Sequence, residues 1–387
     1  MARDIPHIPR FYIDHIQFLR HCGIIGMFDA QNEDIILEDY ADVNYLETNF
    51  NRLFDYNPTN QSYLTYATDF GLTSLEDNRQ TITIPTGMNH ISDFDGKWYL
   101  AVCGHNFWNS STQLKLRYNN GTENQAHIDT TEIINSSAFG AYNGFSIEEF
   151  TDKPQDNEFA KNINLSLCSR NTDLFLTDIN IGSIMFGKYF DLSIASDTKM
   201  TLEIQYGVKS KKTKSGSHLS NMEWWQKPTW GNLPAWELDR DLDTNYLSKE
   251  NKDLGWRKSG RRVYDLSFTF LSSDDVLATS GVLDGTTLEG NQFEGDLSGN
   301  LTDTNADDVA VSVHDESSPI NIKNDNSIFA QIVHKTMGFQ LPFIFQPNKD
   351  YAKPDGFMLA RIANKSYELE QLATNLWRCK FKIEEIW

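Results

Sequence analysis

A mainly β protein of sandwich or barrel type is the fold this sequence predicts. Short runs with apolar residues at period two recur from about residue 80 onward. Turn-rich stretches such as Tyr118-Asn119-Asn120-Gly121 separate them. No helical pattern of useful length lies between them, which argues against a parallel sheet with crossover helices.

In chain order, Ile13, Ile16, Phe18 and Leu19 have the loose spacing of a short helix, and Gly23 and Gly26 then favour turns. Asn57-Pro58 marks a loop. Thr81-Ile82-Thr83-Ile84-Pro85 alternates as a strand, and further strands are expected at 98–102, 114–118, 144–147, 163–167 and 202–206. Residues 207–260 read as a connector. Lys209, Lys211, Lys212 and Lys214 make its first part a flexible basic stretch, and Trp224, Trp225, Trp230 and Trp236 follow among prolines and glycine that interrupt regular structure. Rings of that size predict a segment lying against neighbouring domains or subunits, with stacking on sugar faces as the alternative.

From Arg262 to Leu271 the alternation resumes, with Tyr264, Leu266, Phe268 and Phe270 on one core-facing side. Residues 274–322 contain no lysine or arginine and are rich in Gly, Asn, Asp and Thr, so a long acidic insertion is expected there. The clearest helix spans 327–337: Ser327 caps it, Ile328, Phe329, Ile332 and Val333 form its apolar stripe, and Gly338 ends it. An apolar strand at 341–347, a turn at Lys353-Pro354-Asp355-Gly356, and strands at 357–362, 366–372 and 377–387 complete the chain. The resulting division is 1–79 (an arm, or part of the C-terminal domain), 80–206 (a sandwich), 207–260 (the connector) and 261–387.

Composition narrows the function. The 387 residues carry 34 Lys+Arg against 54 Asp+Glu, a formal charge of −20 that disfavours binding to a phosphate backbone. No apolar run approaches the ~20 residues of a membrane span. Met1 to Pro6 lack the apolar core of a secretory signal, so export is not expected. The four cysteines, at 22, 103, 168 and 379, are far apart and form no close ligand pair, so neither a zinc site nor a disulfide scaffold is predicted. Buried reduced thiols are the simpler reading, in a reducing compartment.

No nucleophile turn, zinc helix or phosphate loop is present. Asp303-Thr304-Asn305-Ala306-Asp307 begins like a calcium loop, but Asp308 replaces its glycine and no glutamate closes it. Glu148-Glu149 and Asp274-Asp275 are poor acid–base pairs, because neighbours on a strand point to opposite faces. The expectation is therefore a protein without catalytic residues, cofactor or metal. Trp98, His105, Asn106 and Trp108, at the end of a buried-looking strand, have the chemistry to line a sugar site; a loop histidine satisfied by backbone or water is the plainer alternative.

Arg261-Arg262-Val263-Tyr264-Asp265-Leu266-Ser267-Phe268, the run from Gly338 to Pro347, and the end from Lys380 to Trp387 together resemble structural proteins of tailed bacteriophages, above all minor-tail and distal-tail (tail-hub) components. The likeness covers residues 255–387. The runs at 98–107 and 181–191 resemble a jelly-roll module akin to carbohydrate-binding modules, carried by several such virion proteins. The resemblance implies a jelly-roll-like β-sandwich plus a C-terminal tail-type β-barrel or sandwich carrying one α-helix. It further implies a structural part of a phage tail or baseplate, assembled in the host cytoplasm as a hexameric or trimeric ring and joining tail tube to tip or fibres. Its partners would be copies of itself, other tail or baseplate proteins and, in the alternative of an adhesin, a host-surface glycan. A plain tail-tube role fits less well, because the excursion at 274–322 departs from a compact distal-tail barrel.

Overall fold

The computed structural model describes residues 8–21, 36–39, 50–57, 60–64, 79–85, 97–107, 112–119, 132–134, 144–150, 162–169, 179–192, 194–197, 200–222, 260–277, 327–351 and 356–386. The first half comprises β1 (Arg10–Asp14), α1 (His15–His21), β2 (Ile36–Asp39), a 3-10 helix (Phe50–Phe54), β3 (Ser62–Leu64), β4 (Arg79–Pro85), β5 (Trp98–His105), β6 (Thr112–Asn119), β7 (Glu132–Ile134), β8 (Gly144–Phe150), β9 (Asn162–Ser169), β10 (Ile179–Ile181) and β11 (Ser183–Asp191). There follow β12 (Thr201–Gln205), β13 (Val208–Lys212), β14 (His218–Met222), β15 (Arg261–Leu271), α2 (Ser273–Val276), a π-helix (Phe329–His334), β16 (Phe343–Gln346), β17 (Met358–Ile362), β18 (Leu369–Ala373) and β19 (Leu376–Glu385). The protein is mainly β, as the alternation predicts, and its large sheets are antiparallel.

One sheet runs β12-β15-β19-β17-β16-β1-β11-β5-β8, with β18 added beside β19. A second runs β2-β4-β9-β6-β7. From β4 to β9 the chain passes repeatedly between these two sheets, the connectivity of a sandwich. The larger sheet does not stop at residue 206. β1 bonds to β11 on one side and to β16 on the other, so hydrogen bonding crosses the expected boundaries at 79/80, 206/207 and 260/261.

Strand alternation explains the core. On β1, Phe11 and Ile13 point into a cluster with Phe268, Phe343, Phe345, Phe381 and the helical Ile328 and Ile332, while Tyr12 points the other way to Tyr99, Met185, Ile344 and Leu359. Both faces of the middle strands are thus buried. This is why Phe343-Ile344-Phe345 and β5 are apolar without interruption. Gly187 on β11 is needed where β1 passes, since a Cβ there would lie 1.9 Å from the Ile13 carbonyl oxygen.

Three local readings of the sequence are corrected. Phe270 does not face the core: it is 70% exposed, because a bulge between Thr269 and Leu271 gives it φ +71° and turns it outward. Residues 208–222 are not an irregular linker but the hairpin β13–β14. The helix near 327–337 is a shorter π-helix that closes at Lys335, three residues before Gly338, while Ser327 does bond its first turn. Ser327 Oγ accepts the Ala330 N–H at 3.1 Å, and Gly338, at φ +67°, donates its N–H to the Val333 carbonyl.

Candidate functional site: an open sheet edge and a basic hairpin

β12 is the last strand of the larger sheet. It pairs with β15 through Thr201↔Asp265 to Gln205↔Arg261, and among the described residues no strand pairs with its other side. Its first four residues are exposed, and Leu202 and Ile204, two apart and so on one face, are each 47% exposed. An apolar edge of this kind is a template for another chain. Gly260, just before β15, has φ +63° and lies so near β12 that a Cβ would meet Ile204 Cγ2 at 2.8 Å and the Gln205 carbonyl oxygen at 2.9 Å. That glycine holds the edge strand close.

From β12 the chain enters the hairpin β13–β14 directly. Its register pairs Val208 with Met222 and Lys212 with His218. The turn is closed by Thr213: its N–H donates to the Ser217 carbonyl at 2.8 Å, and its Oγ1 accepts the Ser217 N–H at 3.1 Å. Residues 208–221 are exposed apart from the half-buried Thr213, including Val208 at 60% and Leu219 at 62%. An isolated two-stranded ribbon is marginal in water, and the side chains of this one are largely exposed. The hairpin carries Lys209, Lys211, Lys212 and Lys214 and no carboxylate, in a chain whose formal charge is −20. Apolar spots, backbone edge and positive charge therefore coincide on one projecting element.

The residues expected to line a sugar site are placed differently. Trp98 is 1% exposed, its ring stacked on Phe186 at 5.1 Å with Lys188 Nζ 5.2 Å from the ring. His105 is 2% exposed; its Nδ1 accepts the Phe107 N–H, so Nε2 carries the proton toward Ser146 Oγ at 2.9 Å. Asn106 Oδ1 accepts the Asn180 N–H at 2.8 Å and ties the end of β5 to β10. With their rings enclosed, Trp98 and His105 present no face on which a sugar could stack. Trp108 lies outside the described residues, as do Trp224, Trp225, Trp230, Trp236 and the acidic insertion beyond Leu277.

Charged residues interlock at the ends of three strands of the larger sheet. Arg10 on β1 forks onto Asp191 of β11 (Nε–Oδ1 2.6 Å, Nη2–Oδ2 2.8 Å) and reaches Glu149 of β8 at 2.5 Å, where the Tyr12 hydroxyl also lies, at 2.6 Å. Burial together with Glu149 holds that phenol well above its usual range. Burial pushes the Cys103 and Cys379 thiols up to about 12, which leaves both unreactive in the folded chain. Among the described residues no group of three His, Cys, Asp or Glu is placed to hold a metal ion, and no helix is long and apolar enough to cross a membrane. No protein-family model matches the chain, and no curated protein or solved structure does.

Proposed function

We propose that this chain is a self-assembling structural protein of a phage tail or baseplate, a ring-forming hub or adaptor that joins the tail tube to its tip or fibres. The observation that carries the self-assembly is the β13–β14 hairpin, basic and exposed on both faces, rising from an open apolar edge. Its four lysines are complementary in sign to the remainder of the same polypeptide. A second copy is therefore a partner whose charge suits it. Contact between one copy's hairpin and a different surface of the next is head-to-tail, and such contacts close into rings when the rotation allows. Attachment to a tail rests on the sequence resemblance of residues 255–387. The mainly β architecture is compatible with that role.

The test is mass photometry and negative-stain microscopy of the purified chain, alone and as Lys211→Glu/Lys212→Glu. The wild type should form closed symmetric particles that loosen as salt is added, since a screening length of about 8 Å at physiological salt weakens exposed charge contacts. The variant should be monomeric with an unchanged melting temperature, because residues 211 and 212 support no core. A wild type that stays monomeric at tens of micromolar would remove the proposal.

A further inference from the structure

A cavity of about 630 Å³ opens beside the last turn of α1, walled by α1, by the 3-10 helix with the loop after it, and by residues 340–342. That volume is in the range of small-molecule sites. Its wall carries the guanidinium groups of Arg20 and Arg52 and a single carboxylate, Asp55. Both oxygens of Asp55 are engaged within its own loop: Oδ1 accepts the Asn57 N–H at 2.8 Å and Oδ2 the Asn60 side-chain N–H at 2.6 Å.

The arginines are oriented by backbone. Arg52 Nη1 donates to the Gln61 carbonyl oxygen at 3.3 Å, one of five donors its guanidinium owns. Arg20 Nη1 donates to the Phe54 carbonyl oxygen at 3.1 Å, with the Phe54 ring 5.9 Å from its Cζ. A carbonyl fixes the direction of the Arg52 guanidinium without cancelling its charge, whereas Arg20 is also held by Gln17 Oε1 at 3.4 Å and by the charge of Asp14. Gln17, beneath them, is tied to the same Phe54 carbonyl. Tyr56 also lines the cavity, its hydroxyl buried against the Asp14 carboxyl. Gln340 adds an exposed amide at the rim.

We infer that this cavity binds a small hydroxylated oxyanion, a carboxylate or phosphate on a polar frame of about sugar size, gripped by Arg52 and Arg20. Planar forks of N–H donors match such oxygens two at a time. The amides of Asn60 and Gln340 supply partners for a ligand's hydroxyl groups. In a chain of formal charge −20, two arginines on one concave wall make a local site for negative charge that the bulk surface does not offer. The inference is independent of ring formation, since no residue of β12 or the hairpin lines the cavity.

Isothermal titration calorimetry of the full chain with glucuronate, glucose 6-phosphate and inorganic phosphate, and with glucose as uncharged control, tests it. At least one acid probe should bind saturably at one site and glucose should not; the preference between glucuronate and glucose 6-phosphate then separates carboxylate from phosphate. Arg52→Gln should weaken that binding at least about tenfold, the weight of one charge-assisted hydrogen bond, with Arg52→Lys between the two. Arg20→Gln risks the packing on Phe54, so melting temperatures accompany every variant and Arg52 decides. No saturable binding of any acid probe at millimolar concentration overturns the inference, and so does undiminished affinity in a folded Arg52→Gln chain.

Discussion

Truncating Glu385 tests how the two ends of β15 and β19 are locked. Its side chain is 2% exposed and that of Arg262 13%. Oε1 accepts from Arg262 Nη2 at 3.0 Å, while Oε2 accepts the Arg262 backbone N–H at 2.9 Å and Nε at 3.2 Å. Arg262 Nη2 also donates to the Phe357 carbonyl at 2.8 Å, beside β17. Glu385→Ala strands a buried guanidinium and a backbone N–H together, so it should cost about 3–5 kcal/mol. Glu385→Gln keeps an acceptor for the N–H and should cost about 2 kcal/mol. The double change Arg262→Met/Glu385→Leu removes both charges but still orphans the N–H of residue 262, and should recover most of the loss without reaching wild type. Urea unfolding midpoints at constant slope give each term. A Glu385→Ala cost below about 1 kcal/mol, or single costs that add within about 0.5 kcal/mol in the double variant, would refute the reasoning.

Two further predictions concern β1 and its neighbours. Gly187→Ala would place a methyl carbon 1.9 Å from the Ile13 carbonyl oxygen and 2.7 Å from the His15 nitrogen, forcing the β1 backbone away. It should cost at least about 3 kcal/mol in urea unfolding, and a change under about 0.5 kcal/mol would count against the close approach. Asp14 is buried, its Oδ1 accepting the Ile16 and Gln17 N–H groups and its carboxyl facing the Tyr56 hydroxyl, and burial pushes the carboxyl up from 3.8 to about 7. Between those values the folded chain holds a proton that the unfolded chain has lost, so this group's contribution to stability is full below 3.8, falls as pH rises and levels off above about 7. Asp14→Asn keeps the cap on α1 and removes that slope. The variant should therefore gain on wild type between pH 5 and pH 8, and a constant difference would show that Asp14 does not titrate there.

Much of the sheet was legible because burial on one or both faces leaves a trace in the sequence. The strands at 98–105, 343–346 and 376–385 all carry it. Where burial is missing the trace vanishes. β13 and β14 expose their side chains, so Lys, Ser, His and Asn outnumber apolar residues in them, no apolar period appears, and they resembled a linker. Phe270 kept the alternation in sequence but lost it in space, since one bulge reverses every later side chain. The cavity left no signal at all. Its two arginines lie 32 positions apart in unremarkable segments, and Gln340 joins them only through the pairing of β1 with β16. Trp98 and His105 show the converse, since residue types suited to sugars are equally suited to filling an interior, Trp98 against Phe186 of β11 and His105 against Phe107 and Ser146 of β8.

The position of β1 links folding to the proposed assembly surface. Residues 10–14 have no β partner nearby in sequence: they pair with 187–191 on one side and 343–346 on the other. β12, which carries the hairpin, is held by β15, and β15 by β19. Contacts so distant along the chain form late, because loop-closure entropy must be met before they stabilise anything. The edge that would capture a second copy therefore becomes a fixed edge only after residues 376–385 have docked. Before that, Leu202, Ile204 and the lysine ribbon have no rigid sheet behind them to define a register. In the proposed ring, a building block wired this way would expose a competent joining surface only when its whole sheet is in place, which would keep incomplete chains out of the assembly.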